Sequence, residues 1–381
     1  MKIGFDGKRA ANNLTGLGNY SRSLIEQLAG YFPENTYFVY TPKIKSSGQI
    51  GAFFKLPGIH LCLPPSGTLL KALWRSIGIG RQLIKDNIDI YHGLSNEIPL
   101  QIPIGTKKVV TIHDLIYLRF PQHYRWTDRL IYNIKSKYAC RHADLIIAIS
   151  ERTKEDIIHY YQTPADKIKV LYQSCDDSFK TLLPTDERNA ILSKYSLTKP
   201  SGEPVKYFLN VGTIEARKNL LLIIRALPKI DTAYKLVVVG KKQAYAVQVA
   251  EEISKLQLHD RIIFLENIPF TDLPAIYQGA ALFIYPSFYE GFGIPVIEAM
   301  YSGTPVIAAT GSCLEEAGGP DSIYISPDDP EALAEAANKV IQSAELTSQM
   351  ISAGFKYLEK FNTAGLSSQL MFAYRDLIYK S

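Results

Sequence analysis

Short apolar and β-branched runs recur along the chain, separated by longer stretches with apolar positions at helical spacing. In the first half the runs fall at Ile3–Phe5, Tyr37–Tyr40, Ile59–Leu63, Ile88–Tyr91, Val109–Ile112, Leu145–Ile149 and Ile168–Tyr172. In the second half they fall at Tyr207–Val211, Lys235–Val239, Ile262–Leu265, Leu282–Tyr285, Pro305–Ala309 and Ile323–Ile325. Runs such as LIIAI and KLVVV are apolar at nearly every position, as strands of a parallel sheet covered on both faces must be. Strands alternating with helices predict βαβ units and an α/β chain with doubly wound sheets. Pro, Ser and Gly gather between Asp176 and Pro204, which places a domain boundary near residue 200. Residues 1–200 and 201–360 are therefore expected to form two Rossmann-like domains, and 361–381 a helix packing back on the first.

Length agrees with two domains, because 381 residues exceed the roughly 250–300 that one core can serve. An apolar content of 46% and a charged content of 21% describe an ordinary globular chain. The net charge of +5 is mild, and nucleic-acid binders usually cluster basic residues more densely, so it points to anions in general, phosphates or an acidic membrane surface. Four scattered cysteines form no CxxC pair, which argues against a disulfide framework or a zinc site and for a reducing compartment. The N-terminal MKIGFDGKRA runs straight into a strand, and no apolar run reaches the roughly 18 residues that span a bilayer. The expectation is a cytoplasmic protein, with peripheral contact at the inner membrane face allowed.

Ligands of open α/β sheets sit beyond the carboxyl ends of the strands. Polar and glycine residues collect there in this chain: Gly16-Leu17-Gly18-Asn19-Tyr20 beyond the first strand, His92 and Asn96 in YHGLSNEIPL, and His113-Asp114 after VVTI. In the second half Gly212 opens GTIEARKN, with the adjacent cations Arg217 and Lys218. Arg as a fork and Lys as a point charge suit phosphates. The segment PSFYEGFGIPVIEAMYSGTP is the most specific. Gly291, Phe292 and Gly293 follow Glu290, Pro295 suits a first helical turn, and Glu298 is expected in that same turn, so that both carboxylates face the mouth of the sheet. A helix start there favours an anion such as a diphosphate.

Glu290 and Glu298, eight positions apart in EGFGIPVIEAM, resemble the EX7E motif of the retaining GT-B glycosyltransferases of family 4. The resemblance implies a GT-B fold with an active site between two domains, no bound metal or cofactor, and a nucleoside-diphosphate sugar as donor. It makes Glu290 a contact to the donor sugar's hydroxyls and Glu298 the contact to the ribose. Arg217 and Lys218 are similar to the family's phosphate-binding pair. Some relatives also carry Arg directly after the glycine, where this chain has Thr213, so the number of cations on the phosphates stays open. His113 resembles the family's His near the donor sugar, with Asp114 orienting it or capping the next helix. Gly16 and Gly18 resemble its glycine-rich loop beside the diphosphate, here a turn before a helix over Ser21–Leu28. His92 and Asn96 are candidates for the acceptor side.

VGTIEARKN and YHGLSNEIP look like segments of mannosyltransferases that build surface polysaccharide, which suggests GDP-mannose as donor and a glycan or lipid-linked oligosaccharide as acceptor. Leu69–Lys85 mixes Leu, Trp and cations and is either a membrane-surface segment or, better, a core-packing helix. Asp176-Asp177 and Asp328-Asp329 read as turns rather than metal ligands. Three other readings compete. An NAD-dependent oxidoreductase wants GxGxxG directly after the first strand, but Gly16 lies about ten residues beyond it. A glycosidase could use Glu290 and Glu298, but the phosphate-friendly setting speaks against it. A non-catalytic nucleotide-sugar-binding subunit would carry the same motifs.

Overall fold

The computed structural model describes residues 1–14, 16–65 and 74–379. The chain forms two units, Met1–Gln173 with Phe361–Ser381, and Ser174–Lys360. The division precedes the boundary expected near residue 200. Turn-rich composition marks a loop but not the body it packs on. Phe179 is fully buried edge-on against Tyr277, with ring centroids 5.5 Å apart, and the Leu183 amide donates to Gln278 at 2.9 Å. These contacts hold the stretch after Gln173 to the second unit.

In the first unit the strands are β1 Lys2–Asp6, β2 Thr36–Tyr40, β3 Ile59–Cys62, β4 Ile90–Gly93, β5 Lys107–Ile112, β6 Leu145–Ala148 and β7 Ile168–Val170. All pair in parallel, in the order β3-β2-β1-β4-β5-β6-β7. The order reverses direction between β1 and β4, so crossovers leave β1 toward both sides and a crevice opens there. On one face Phe5, Val39 and Ile90 pack against Leu370, Met371 and Tyr374 of helix Thr363–Tyr379. On the other, Val110, Ile112 and Ile146 meet Tyr117, Ala139 and Ile157.

The second unit carries β8 Tyr207–Val211, β9 Lys235–Val239, β10 Ile262–Leu265, β11 Leu282–Tyr285, β12 Val306–Ala309 and β13 Ile323–Ile325, all parallel, in the order β10-β9-β8-β11-β12-β13. Its reversal lies between β8 and β11. Each strand falls on an apolar run read from the sequence, and the fold is the expected pair of doubly wound Rossmann-like sheets. Within the Leu69–Lys85 stretch, Leu69–Leu73 lie outside the described residues. From Trp74 onward it turns inward, with Trp74, Ile79 and Leu83 buried against Tyr40 and Tyr91.

Candidate active site

The densest chemistry in the second unit sits beyond β8 and β11, at the reversal of strand order. After β8 the chain passes Gly212, turns at Ala216–Lys218, and enters helix Leu220–Ala226 through Asn219 in the left-handed conformation. After β11 the loop Pro286–Gly293 leads into helix Ile294–Tyr301. The two connections are stitched together. The Phe288 amide donates to the Arg217 carbonyl at 2.9 Å, and the Asn219 side chain donates to the Pro286 carbonyl at 3.2 Å.

This stitching brings both predicted cations onto Glu290. Arg217 Nη1 lies 2.8 Å from Glu290 Oε2, and Lys218 Nζ lies 2.6 Å from Oε1, so each carboxylate oxygen holds one cation. Arg217 also reaches Glu215 at 2.7 Å and the Tyr289 carbonyl at 2.6 Å, and Lys218 donates to the Tyr285 hydroxyl. All three charged side chains are largely buried, at 11–15% exposure. Burial alone would raise the Glu290 pKa, but Lys218 and Arg217 outweigh it and hold the carboxyl at about 2. Glu290 is therefore a fixed anion with Arg217 a fixed cation beside it, while burial draws Lys218 below the ordinary lysine range against the pull of Glu290. Below it, the buried Cys313 thiol donates to the Glu290 and Phe292 carbonyls at 3.1 and 3.0 Å, which ties the loop to the segment after β12.

Gly293 caps helix Ile294–Tyr301 at φ +119°, a conformation closed to side-chain-bearing residues. The helix begins at Ile294, so Glu298 stands in its second turn and not in the first turn as expected. Its partner is a neighbouring side chain: the Tyr277 hydroxyl donates to Oε2 at 2.8 Å. Loss of surrounding water raises the half-buried Glu298 to about 7, against the lowering effect of that hydrogen bond. The motif's two carboxylates are thus in opposite states, one held ionised and one poised near neutrality.

In the first unit His113 follows β5. Its Nε2 donates to the Leu94 carbonyl at 2.8 Å, Gln173 reaches Nδ1 at 3.2 Å, and the Tyr20 ring meets it edge-on at 4.7 Å. Burial lowers its pKa to about 4, so the imidazole is neutral at pH 7. Asn96 accepts from the His113 amide at 2.8 Å and joins the loops after β4 and β5, while Asp114 accepts from the Ile116 amide at 3.2 Å as the start of a turn. His92 corrects the expectation of an acceptor contact. It has no exposed surface, and its ring nitrogens meet the Tyr374 hydroxyl at 2.6 Å and Thr111 at 2.8 Å. It lies within β4, on the face that helix Thr363–Tyr379 covers.

The Gly16 and Gly18 segment also differs from expectation. The helix already starts at Gly16 and runs to Tyr31, so both glycines lie in its first turn. A Cβ on Gly18 would sit 1.9 Å from the Asn13 carbonyl oxygen, whereas Gly16 faces open space. Sequence reading missed a buried charge cluster at the edge of β1 and β4. There Arg75 bridges Asp6 and Glu97, at 2.9 Å from the latter, and Lys135 holds Glu97 at 2.7 Å. Asp6 ends β1, and no spacing in the sequence links it to residues 69 and 91 positions away.

Comparison with known proteins matches residues 15–179 to the model described as glycosyltransferase family 4, and residues 196–357 to that described as glycosyl transferases group 1. The chain is 28% identical to O-antigen chain mannosyltransferase B of Escherichia coli, across 99% of this chain and all of that protein. It is 27% identical to O-antigen chain mannosyltransferase RfbU of Salmonella typhimurium over 65% of each. Among solved structures, sucrose-phosphate synthase of Thermosynechococcus elongatus superposes with a TM-score of 0.77 at 20% identity, covering both chains fully. Anabaena Alr3699/HepE in complex with UDP-glucose gives 0.75 at 18%, over 99% of this chain and all of that one. At these identities the structures speak for the fold.

Proposed function

Since the chain belongs to glycosyltransferase family 4, with a group 1 glycosyl transferase region as its second half, and is a glycosyltransferase, we propose that it transfers mannose from GDP-mannose to a lipid-linked oligosaccharide, with retention at the anomeric carbon and without a metal ion. The two O-antigen chain mannosyltransferases support the sugar and a role in polysaccharide synthesis. The observation that carries the reading is the Arg217–Glu290–Lys218 cluster beyond the ends of β8 and β11. Glu290 stands as the anion between the two cations. A diphosphate entering there takes over Arg217 and Lys218, which then stabilise the charge of the leaving group, a role that fixed dipoles and cations fill without reorganisation. The released carboxylate is left to accept hydrogen bonds from the sugar's hydroxyls. The leaving phosphate takes the acceptor's proton on the same face of the sugar. In the first unit, neutral His113 binds sugar or acceptor as a hydrogen-bonding group and not as a base.

A thermal melt with UDP, GDP, ADP and NAD, each in excess and without added metal, tests the donor. A ligand at 100 times its Kd adds about 2.7 kcal/mol, which lifts the midpoint by roughly 3 °C or more. GDP is expected to raise it and NAD to leave it unchanged. A response to UDP alone overturns the donor assignment, and a GDP response without mannosyl transfer to lipid-linked oligosaccharide marks a binding subunit.

Glu298 gives a second expectation. If it holds the ribose hydroxyls it must do so ionised, so binding expels the proton that it carries below about pH 7. Nucleotide affinity should therefore fall by roughly tenfold per pH unit below that point and level off above it. The terminal phosphate titrates near pH 6 as well, so calorimetry on Glu298→Gln isolates the carboxyl's share. A variant with the wild-type slope would show that Glu298 is not the group involved.

A further inference from the structure

Helix Trp126–His142 of the first unit packs with the opposite polarity to an ordinary amphipathic helix. The side chains it buries are small: Ser136, Ala139 and Cys140. Its large apolar side chains point outward, with Trp126 72% exposed, Leu130 51%, Ile131 50% and Ile134 60%. At 3.6 residues per turn these four share one side of the helix, within roughly 140° of arc. Lys137 and Arg141 continue that side toward the C-terminus. Residues 125–142 hold five Lys or Arg against the single acid Asp128, a net +4 in a chain whose total is +5. An adjacent loop extends the apolar surface. The Tyr138 hydroxyl donates to the Leu100 carbonyl at 3.0 Å, Leu100 is 54% exposed, and Ile104 nearby is fully exposed.

We propose that this face docks on an anionic membrane surface. The helix lies in the plane of the interface, with Trp126, Leu130 and Ile134 at the acyl boundary and Lys137 and Arg141 on lipid phosphates. No helix among the described residues is long and apolar enough to cross a membrane, so the contact is peripheral. Exposed large aliphatics interleaved with cations fit this partner better than two others. A second copy of the chain on a two-fold axis would set the same cations against one another. A nucleic acid would meet the cations and leave Leu130, Ile131 and Ile134 without a use. The inference goes beyond the transferase reading and does not depend on the donor or the chemistry.

Sedimentation of the full chain with vesicles of phosphatidylcholine alone, and mixed with phosphatidylglycerol, tests it without any sugar acceptor present. The chain has two tryptophans, Trp74 buried and Trp126 exposed, so fluorescence reports on the proposed contact. The chain should sediment with the anionic vesicles, less as salt rises, with a blue shift of Trp126 emission and quenching by brominated lipid. Joint Lys137→Gln and Arg141→Gln substitution should weaken partitioning by about 30-fold. Joint Leu130→Asp and Ile134→Asp should abolish the emission shift while the melting midpoint stays, because both sites are exposed. Absence from the anionic vesicles, leaving an acidic protein as what covers the face, overturns the proposal. Sedimentation without a change at Trp126 overturns it too, since another surface would then be responsible. Failure of the transferase reading would leave all of these results unaffected.

Discussion

Replacing Glu290 with Gln is expected to cut sugar transfer by about two to three orders of magnitude while leaving affinity for the nucleoside diphosphate unchanged or raised. The sign follows from the charge cluster. The carboxylate holds Arg217 at 2.8 Å and Lys218 at 2.6 Å, and a diphosphate binding to those cations must displace it. The amide is the same size but gives up the charge, so it competes less for both cations. It also leaves two largely buried cations poorly neutralised, which destabilises the free protein, since breaking such a cluster at one partner is strongly unfavourable. The midpoint should therefore drop in the variant and recover more than wild type on adding nucleotide. Transfer fails because the amide cannot replace an ionised acceptor of the sugar's hydroxyls. Steady-state transfer and calorimetric titration, run on both proteins, read the two effects separately. Parallel loss of transfer and of nucleotide affinity would overturn the assignment and make Glu290 a nucleotide contact.

Gly240→Ala is expected to cost more than about 3 kcal/mol of stability and to abolish transfer, although the residue carries no functional group. Its Cβ would lie 1.8 Å from the Gly212 carbonyl oxygen and 2.7 Å from the carbonyl carbon, backbone against backbone. Neither side can yield easily. Gly212 donates to Val239 at 2.9 Å, Gly240 donates to Leu265 at 3.0 Å, and Ile214 donates to Lys241 at 2.9 Å. Whatever gives way shifts the connection that carries Arg217 and Lys218, and misplacement of about 1 Å at such a site costs on the order of 100-fold in rate. Denaturant unfolding and transfer assays check it. Gly30→Ala is the control, since a methyl there meets nothing within 4 Å. Equal stability of the two variants would mean that β8 and β9 part more readily than their hydrogen bonds imply.

The strands were legible because a parallel strand buried on both faces must be apolar throughout, a property of contiguous residues. Glu290 and Glu298 were legible for a similar reason, since one loop and one helix carry both. Contacts between distant segments were not. Nothing in the chain's local pattern tells that Cys313 supports the Glu290 loop, that Tyr277 meets Glu298, or that Gln173 reaches His113. The error over His92 arose from taking a position near a strand's end for one beyond it. Periodicity also defines the sides of helix Trp126–His142 without saying which is buried. There the small side chains win the inside, because they let the helix approach the sheet closely.

The return of Phe361–Ser381 to the first unit has a consequence for synthesis. Leu370, Met371 and Tyr374, part of that unit's core, leave the ribosome only after the whole of Ser174–Lys360. At about 5–20 residues per second, roughly 10–40 s separate the completion of Gln173 from the arrival of the closing helix. During that time the apolar face of β1, β2 and β4 lacks its cover, while Ser174–Lys360 is already complete and can close its own core. The half that is made first is thus finished last. A nonsense codon or a ragged end near residue 360 would damage the beginning of the protein and spare its middle.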